Sequence, residues 1–188
     1  MASVDAIAFL GDTIVAILQK ELDELVKPNV VSVLQYTPTE FKNFAPVTPT
    51  VTLFLYHVAI CGEMRNARSR SIGGIQVPSL PLELRYLVTP WTRAPGGSYL
   101  IIGAIAQVFY RHSVLNFGEL LGSGWAPDDT VEIILESVPV EEHYDIWKLT
   151  DIPYRLSLTY LVRLVGIDAD QPEAPPPVAA ATFPELLP

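Results

Sequence analysis

The sequence is short of cysteine, of positive charge and of charge in general, and each shortage excludes a class of protein. One cysteine in 188 residues rules out an intramolecular disulfide and a cysteine-rich zinc site. Lys and Arg number 12 against 21 Asp and Glu, so the chain lacks the basic footprint of a nucleic-acid binder. Because 49% of the residues are hydrophobic and only 18% are charged, the chain as a whole is not intrinsically disordered.

The chain also lacks a long apolar run and an early basic residue. Its longest uncharged stretch, 43–62, is interrupted by Pro46 and Pro49, and its apolar part is well short of the ~20 residues of a membrane-spanning helix. No Lys or Arg precedes Lys20, so the first residues do not form a secretory signal peptide. We therefore expect no membrane insertion and synthesis in the cytoplasm, a compartment that suits the lone Cys61.

Catalytic motifs are missing as well. His57, His112 and His143 fall in three different predicted elements, which argues against a metal centre. His57 and Cys61 share a predicted strand, but four strand residues span roughly 13 Å, which is too far for proton transfer. The chain has no Gly-x-Ser-x-Gly elbow, Walker lysine or Gly-x-Gly-x-x-Gly loop. The sequence predicts a protein that is not an enzyme and binds no cofactor or metal.

What is present is a clear alternation of helical and strand periodicity. Apolar residues recur at helical spacing from Val4 to Leu25, whereas they alternate with charged residues from Leu80 to Val88. The pattern predicts helices over 3–26, 99–115 and 141–150 and strands over 30–36, 51–61, 80–88, 131–138 and 154–165. This order is typical of an α+β domain over 1–167, with a mixed, mainly antiparallel β-sheet and helices packed on it.

Two long segments are predicted to lie outside this regular structure. The Pro-containing segment 37–49 reads as a loop or an extended edge, and 62–78 reads as a mobile arm or a long hairpin loop. The second segment contains Arg65, Arg68 and Arg70, and no acidic residue lies between Glu63 and Glu83. Three cations without local counter-ions on an acidic protein can bind an acidic partner surface, or they can form a solvated loop. The sequence leaves both interpretations open.

The last residues, 168–188, differ in composition from the rest. From Gly166 onward the chain contains six prolines, four acids and no base. Such a segment cannot bury enough apolar area to offset the entropy lost on ordering. We predict a Pro-rich acidic disordered tail over 168–188.

Four sequence blocks, in this order, resemble a known family. They are Tyr56–Asn66, which ends in Gly-Glu-Met-Arg-Asn; Pro81–Trp91, which reads Pro-Leu-Glu-Leu-Arg-Tyr-Leu-Val-Thr-Pro-Trp; the helix Leu100–Leu115; and Ile146–Tyr160. Together they resemble the cap, or tail-terminator, family of phage-tail-like contractile injection systems. The resemblance covers roughly residues 4–167.

The resemblance implies a structural role. Members of this family form a ring, expected to be a hexamer, at the end of the inner tube and contractile sheath that is distal to the baseplate. The ring ends polymerisation and anchors the last sheath ring, so the expected partners are copies of the chain, the tube protein and the sheath protein. Sheath subunits exchange strands through extended arms, and the segments 37–49 and 62–79 suit that task. Arg65, Arg68 and Arg70 are then candidate interface residues.

One alternative function stays open at the level of sequence. A small-molecule-binding or hydrolytic α+β domain would need a cleft with perturbed ionisable groups, for instance around His57 and Glu132. The sequence offers no further motif for such a site.

Overall fold

The computed structural model describes residues 5–28, 30–42, 44–62, 69–72, 75–123, 125–127 and 129–168, with the backbone alone described for 69–72, 75–79 and 164–168. The helices are α1 (Ala6–Leu25), α2 (Pro38–Phe41), α3 (Pro95–Arg111) and α4 (Val140–Lys148), with a 3₁₀ turn at Phe117–Glu119. The strands are β1 (Ser32–Gln35), β2 (Thr50–Ile60), β3 (Ser69–Ile72), β4 (Ile75–Trp91), β5 (Val114–Asn116), β6 (Thr130–Glu136) and β7 (Leu158–Asp168).

The strands form one sheet in the order β1-β2-β4-β7-β6-β5, and β3 pairs with the first residues of β4. Only β1 and β2 run parallel, and every other pair is antiparallel. This mixed, mainly antiparallel sheet confirms the predicted α+β class. The 17 residues of β4 lie at its centre, paired with β2 on one side and β7 on the other.

One face of the sheet is covered by α1 and α3. Leu84, Tyr86 and Val88 of β4 point to this face and are buried, as the alternation of Leu80–Val88 predicted. The helices bring apolar stripes at 3.6-residue spacing against them. The stripes consist of Leu10, Ile14, Leu18 and Leu22 on α1 and of Ile101, Ile105 and Val108 on α3. Each fully buried side chain of this kind contributes about 2 kcal/mol from apolar burial.

The opposite face carries an aromatic cluster at one end, beneath α2 and α4. Leu87 and Trp91 of β4 form its floor, and Phe41 and Trp147 reach it from the two helices. The rings of Phe41 and Trp91 are stacked with centroids 5.8 Å apart, and Trp147 meets both at 6.3–6.5 Å in edge-to-face geometry. The described residues therefore form two apolar clusters, one on each side of the sheet.

The segment 37–49, predicted as a loop or an extended edge, is irregular over 44–49 but not throughout. Its start folds into the one-turn helix α2, where the carboxylate of Glu40 accepts hydrogen bonds from the Thr37 N–H and hydroxyl, at 2.7 and 2.9 Å. Phe41 is 1% exposed because it enters the aromatic cluster. The Thr-x-x-Glu pattern of this capping box is visible in the sequence and is typical of a helix start.

The bounds of α3 and the start of β7 also differ from those predicted. Helix α3 begins at Pro95, because proline fits the first turn of a helix, and it ends at Arg111 rather than 115. Val114–Asn116 instead pairs with Thr130–Glu132 as β5. Strand β7 begins at Leu158 rather than 154, and the side chains before it pack beside α4.

The predicted arm, 62–78, is a hairpin where the structure describes it. Ser69–Ile72 pairs with Ile75–Pro78 in antiparallel register. Cys61, at its base, is a free cysteine with 0% exposure and is therefore a core residue. None of the described helices is long and apolar enough to span a lipid bilayer.

Candidate assembly surface

The three arginines predicted as interface residues are only partly described. Arg65 and Arg68 lie outside the described residues. The backbone of Arg70 lies in β3, opposite Val77 of β4. Their role at an interface therefore stays a prediction.

The alternative site around His57 and Glu132 is not assembled. His57 is on β2 and Glu132 is on β6, and β4 and β7 lie between them. Three strand spacings separate the two residues by roughly 14 Å. The described residues contain no group of three or more His, Cys, Asp or Glu that could hold a metal ion.

A serine and a histidine do come together elsewhere, next to α4. Ser157 Oγ lies 3.1 Å from His143 Nε2 and accepts a hydrogen bond from Trp147 Nε1–H at 3.0 Å. Ser157 is 6% exposed, and burial lowers the pKa of His143. A catalytic pair needs a reachable nucleophile and a base oriented by a third group. Here the hydroxyl is buried and bonded to an indole, so the pair stabilises the packing of α4.

Beyond the aromatic cluster, the same sheet face carries paired charges. Arg163 lies 3.3 Å from Glu83, and Arg85 lies 3.3 Å from Glu136. Burial, and then the Glu136 carboxylate, raise the pKa of Tyr56 to about 12. Arg163 and Glu83 lie on the neighbouring strands β7 and β4, whereas Arg85 of β4 reaches across β7 to Glu136 of β6. Such pairs of opposite charge stabilise the sheet modestly.

The outer edge of β2 has no strand partner among the described residues over more than half of its length. Strand β1 pairs only with Thr50–Leu53, so no described strand covers the side of β2 that follows. Val58 and Ile60 on this stretch are 46% and 53% exposed, and neighbouring Leu80 of β4 is 46% exposed. An open edge with exposed apolar side chains is a template for pairing with another chain.

A second surface is a groove beside the aromatic cluster, which we call the Trp91 groove. It consists of two adjoining cavities of about 470 and 270 Å³, and both are lined by Phe44, Ala45, Trp91 and Arg155. The guanidinium of Arg155 lies over the Trp91 ring, 4.3 Å from its centroid. Lys42 and Arg93 line the two ends. The lining among the described residues contains three cations and no carboxylate.

The family of the chain follows from its sequence. The family model of the Pvc16 N-terminal domain matches residues 10–180. The chain belongs to this family. The matched residues include the open β2 edge, the Trp91 groove and part of the tail that we predict to be disordered. No curated protein matches the chain.

Two solved structures share the fold of this family member. One is the sheath/tube terminator of PVC, an extracellular contractile injection system, in its extended state; it has 17% identity, a TM-score of 0.63, and coverage of 97% of this chain and 64% of that one. The other is the tube-terminating cap of the anti-feeding prophage, with 14% identity, a TM-score of 0.58, and coverage of 93% and 60%. The chain thus spans a little under two thirds of the length of these proteins.

Sequence reasoning missed the Trp91 groove. Trp91 and Arg155 are 64 positions apart. Each belongs to a block that resembles the tail-terminator family, and nothing in either block indicates that the two residues are in contact. The usable signal was the set of cations, Lys42, Arg93 and Arg155, each within a few residues of an aromatic side chain. Only the pairing of β2, β4 and β7 brings these short segments together.

Proposed function

We propose that the chain is a structural cap, or terminator, of a contractile injection system. It would form a ring at the baseplate-distal end of the tube and sheath, end their polymerisation and anchor the last sheath ring. The observation that carries this proposal is the family match over residues 10–180, together with a fold shared with a sheath/tube terminator and a tube-terminating cap. Because both solved chains are longer, their roles in assembly come to this chain as a proposal.

Features of the surface support a role in assembly. The open edge of β2 offers backbone groups to a partner strand, and Val58 and Ile60 beside it offer apolar area. Further large apolar side chains, such as Tyr110 at 85% exposed, lie on α3. Exposed apolar area of this kind marks protein–protein contacts. A closed ring uses two different patches of each protomer, which would bury part of this area.

The finer features of the proposal are these. The ring is a hexamer whose partners are the tube protein and the sheath protein, and the chain performs no catalysis. It is made and assembled in the cytoplasm and then becomes part of an extracellular particle. The disordered tail predicted over 168–188, attached to the domain at 1–167, lies outside the described residues from 169 onward, and Asp168 is still part of β7.

We expect loss of this chain to abolish uniform particle length. Particles would be produced from the full gene set and from a set lacking only this gene, and tube and sheath lengths would be measured by electron microscopy. Without a cap, growing ends stay open, so tubes of widely varying length with missing or detached sheath are expected.

The control is complementation with Lys20→Glu, which changes an exposed residue of α1. It is expected to restore uniform particles. Unchanged length and sheath in the absence of the chain would contradict the proposal. So would a purified protein that stays monomeric and fails to co-purify with tube or sheath.

The arginines of the predicted arm supply a narrower proposal. We propose that Arg65, Arg68 and Arg70 contact an acidic surface of the sheath or of a neighbouring protomer. Reversing all three to Glu is expected to give missing or unterminated particles, because repulsion replaces attraction at the contact. The readout is the fraction of capped particles by electron microscopy. Reversal of Lys20 and Lys27 together, both exposed and neither lining the Trp91 groove, is a control of comparable charge change. Uniform particles from the triple variant would refute the role of the arm.

A further inference from the structure

The Trp91 groove has the chemistry of a site for an acidic, proline-rich segment. Trp91 and Phe41 form a buried floor, while Phe44 is half-buried and Tyr154 is 43% exposed at the rim. Grooves lined by aromatic rings bind proline-rich segments in the polyproline II conformation, because such segments lose little entropy on binding. The geometry alone therefore favours an extended, proline-containing ligand.

The charge of the groove narrows the ligand further. Lys42, Arg93 and Arg155 are exposed, and none of them forms an ion pair with a described residue. They lie together on a chain with a net charge of −9. Unpaired cations around an aromatic floor select a ligand that carries negative charge beside its prolines.

The chain itself contains a segment of this composition. Residues 168–177 read Asp-Ala-Asp-Gln-Pro-Glu-Ala-Pro-Pro-Pro, with three acids, four prolines and no base. Pro172 and Pro175 have the Pro-x-x-Pro spacing of polyproline II ligands, and Glu173 lies between them. No other stretch of the sequence combines clustered prolines with acids and no base.

Residues 168–177 are too short to reach the Trp91 groove of their own chain. Asp168 pairs with Ser79, whereas the groove lies at Trp91, 12 residues further along β4. That stretch of strand is about 40 Å long at ~3.3 Å per residue. Nine residues link Asp168 to Pro177 and span at most ~32 Å when fully extended. The segment therefore meets a groove only on another copy.

We infer that residues 170–177 of one copy bind in the Trp91 groove of a second copy. The acids lie against Arg155, Arg93 and Lys42, and the prolines pack on the aromatic floor. The contact is head-to-tail, so it links protomers in series and closes in a ring. It goes beyond the capping proposal, because it requires only that two copies meet.

The binding test uses a fluorescein-labelled peptide of residues 168–179. The receptor is the full chain with residues 169–188 scrambled, so that its own tail does not compete. Fluorescence anisotropy is expected to show saturable binding that Arg155→Glu weakens at least tenfold. A peptide with its four prolines replaced by Ala, which keeps every charge, is expected to bind at least fivefold more weakly.

Two further variants keep the test decisive. Arg93→Glu removes an exposed cation of the groove. This variant is expected to weaken binding as well, and it replaces Arg155→Glu in the test if that variant fails to fold. Lys20→Glu matches the charge change on the far side of the sheet and is expected to alter binding less than twofold. If Lys20→Glu lowered the affinity for the peptide as much as the groove variants do, the effect would come from net charge alone, and the proposal would be overturned. Equal binding of the proline and alanine peptides would also overturn it.

A cross-linking experiment decides whether the contact joins two copies. A photo-cross-linking residue replaces Val178 in the full chain, and ¹⁴N- and ¹⁵N-labelled protein are mixed before irradiation. Mass spectrometry is expected to find cross-links from the tail to residues 41–46 or 152–155 in mixed-isotope pairs. The inference would be refuted if the tail cross-linked only within one chain, only to other surfaces of a second copy, or only to tube and sheath proteins. Normal capped particles with no such cross-link would leave the capping proposal standing while this inference fails.

Discussion

Replacing Trp147 by alanine is expected to lower the free energy of unfolding by about 4 kcal/mol. The side chain is 1% exposed and packs edge-on against both Phe41 and Trp91. The substitution removes the ring, leaves a cavity in the smaller of the two apolar clusters and removes the indole N–H that Ser157 Oγ accepts at 3.0 Å. A loss of this size is a large share of the 5–15 kcal/mol typical of a domain.

Urea unfolding followed by circular dichroism measures this effect. Trp147→Phe is the intermediate case, since it keeps a ring in the cluster and removes the hydrogen bond to Ser157; we expect a loss of about 1–2 kcal/mol. Tyr144→Ala is the matched control on the same helix, because Tyr144 is 52% exposed, and a change below about 1 kcal/mol is expected. Similar losses for Trp147→Ala and Tyr144→Ala would contradict the role of the cluster.

The substitution Ile105→Asp is expected to prevent folding. Ile105 is 0% exposed and lies in the larger cluster, between α1 and the sheet. A carboxylate there would lose its hydration and gain no cation, a cost that reaches several kcal/mol. The readouts are the far-ultraviolet circular dichroism spectrum and resistance to a limiting amount of protease.

Leu100→Asp tests the same helix on its exposed side. Leu100 is 55% exposed, so its replacement is expected to leave the spectrum unchanged and to alter stability by less than about 1 kcal/mol. A folded Ile105→Asp variant, or an unfolded Leu100→Asp variant, would overturn the assignment of the two faces of α3.

Elements with a clear period were predictable from sequence. The alternation from Leu82 to Val88 identified the central strand and its buried face, and the stripe from Leu10 to Leu22 identified α1. Both patterns report burial directly, because side chains repeat every 2 residues on a strand and every 3.6 on a helix. The α+β class followed from the order of these elements.

Elements whose conformation depends on a distant partner were misjudged. The predicted helix 99–115 includes Val114 and Leu115, but pairing with Glu132 and Val131 places both residues in β5. The predicted strand 154–165 includes Tyr154–Ser157, but the side chains of this stretch contact Trp91, Trp147 and His143 instead. Local preference is weak, and tertiary contacts override it.

The candidate surfaces divide along the same line. The sequence alone identified Arg65, Arg68 and Arg70 as candidate interface residues, because cations that are close together in the chain can be recognised without a structure. It did not select Lys42, Arg93 and Arg155, which come from three separate segments and converge only at the end of β4. Nor did it show that β1 covers only the first four residues of β2 and leaves the rest of that edge open.

The sequence by itself determined the α+β class, the buried faces of its main elements and the resemblance to tail terminators. These follow from the periodicity of apolar residues and from the order of the four sequence blocks, and both can be read without knowledge of tertiary contacts. The tertiary structure alone decided the strand order, the two clusters on opposite faces of the sheet and the Trp91 groove. The physical reason is that strand pairing joins residues far apart in the chain, and no local pattern records which strand lies beside which.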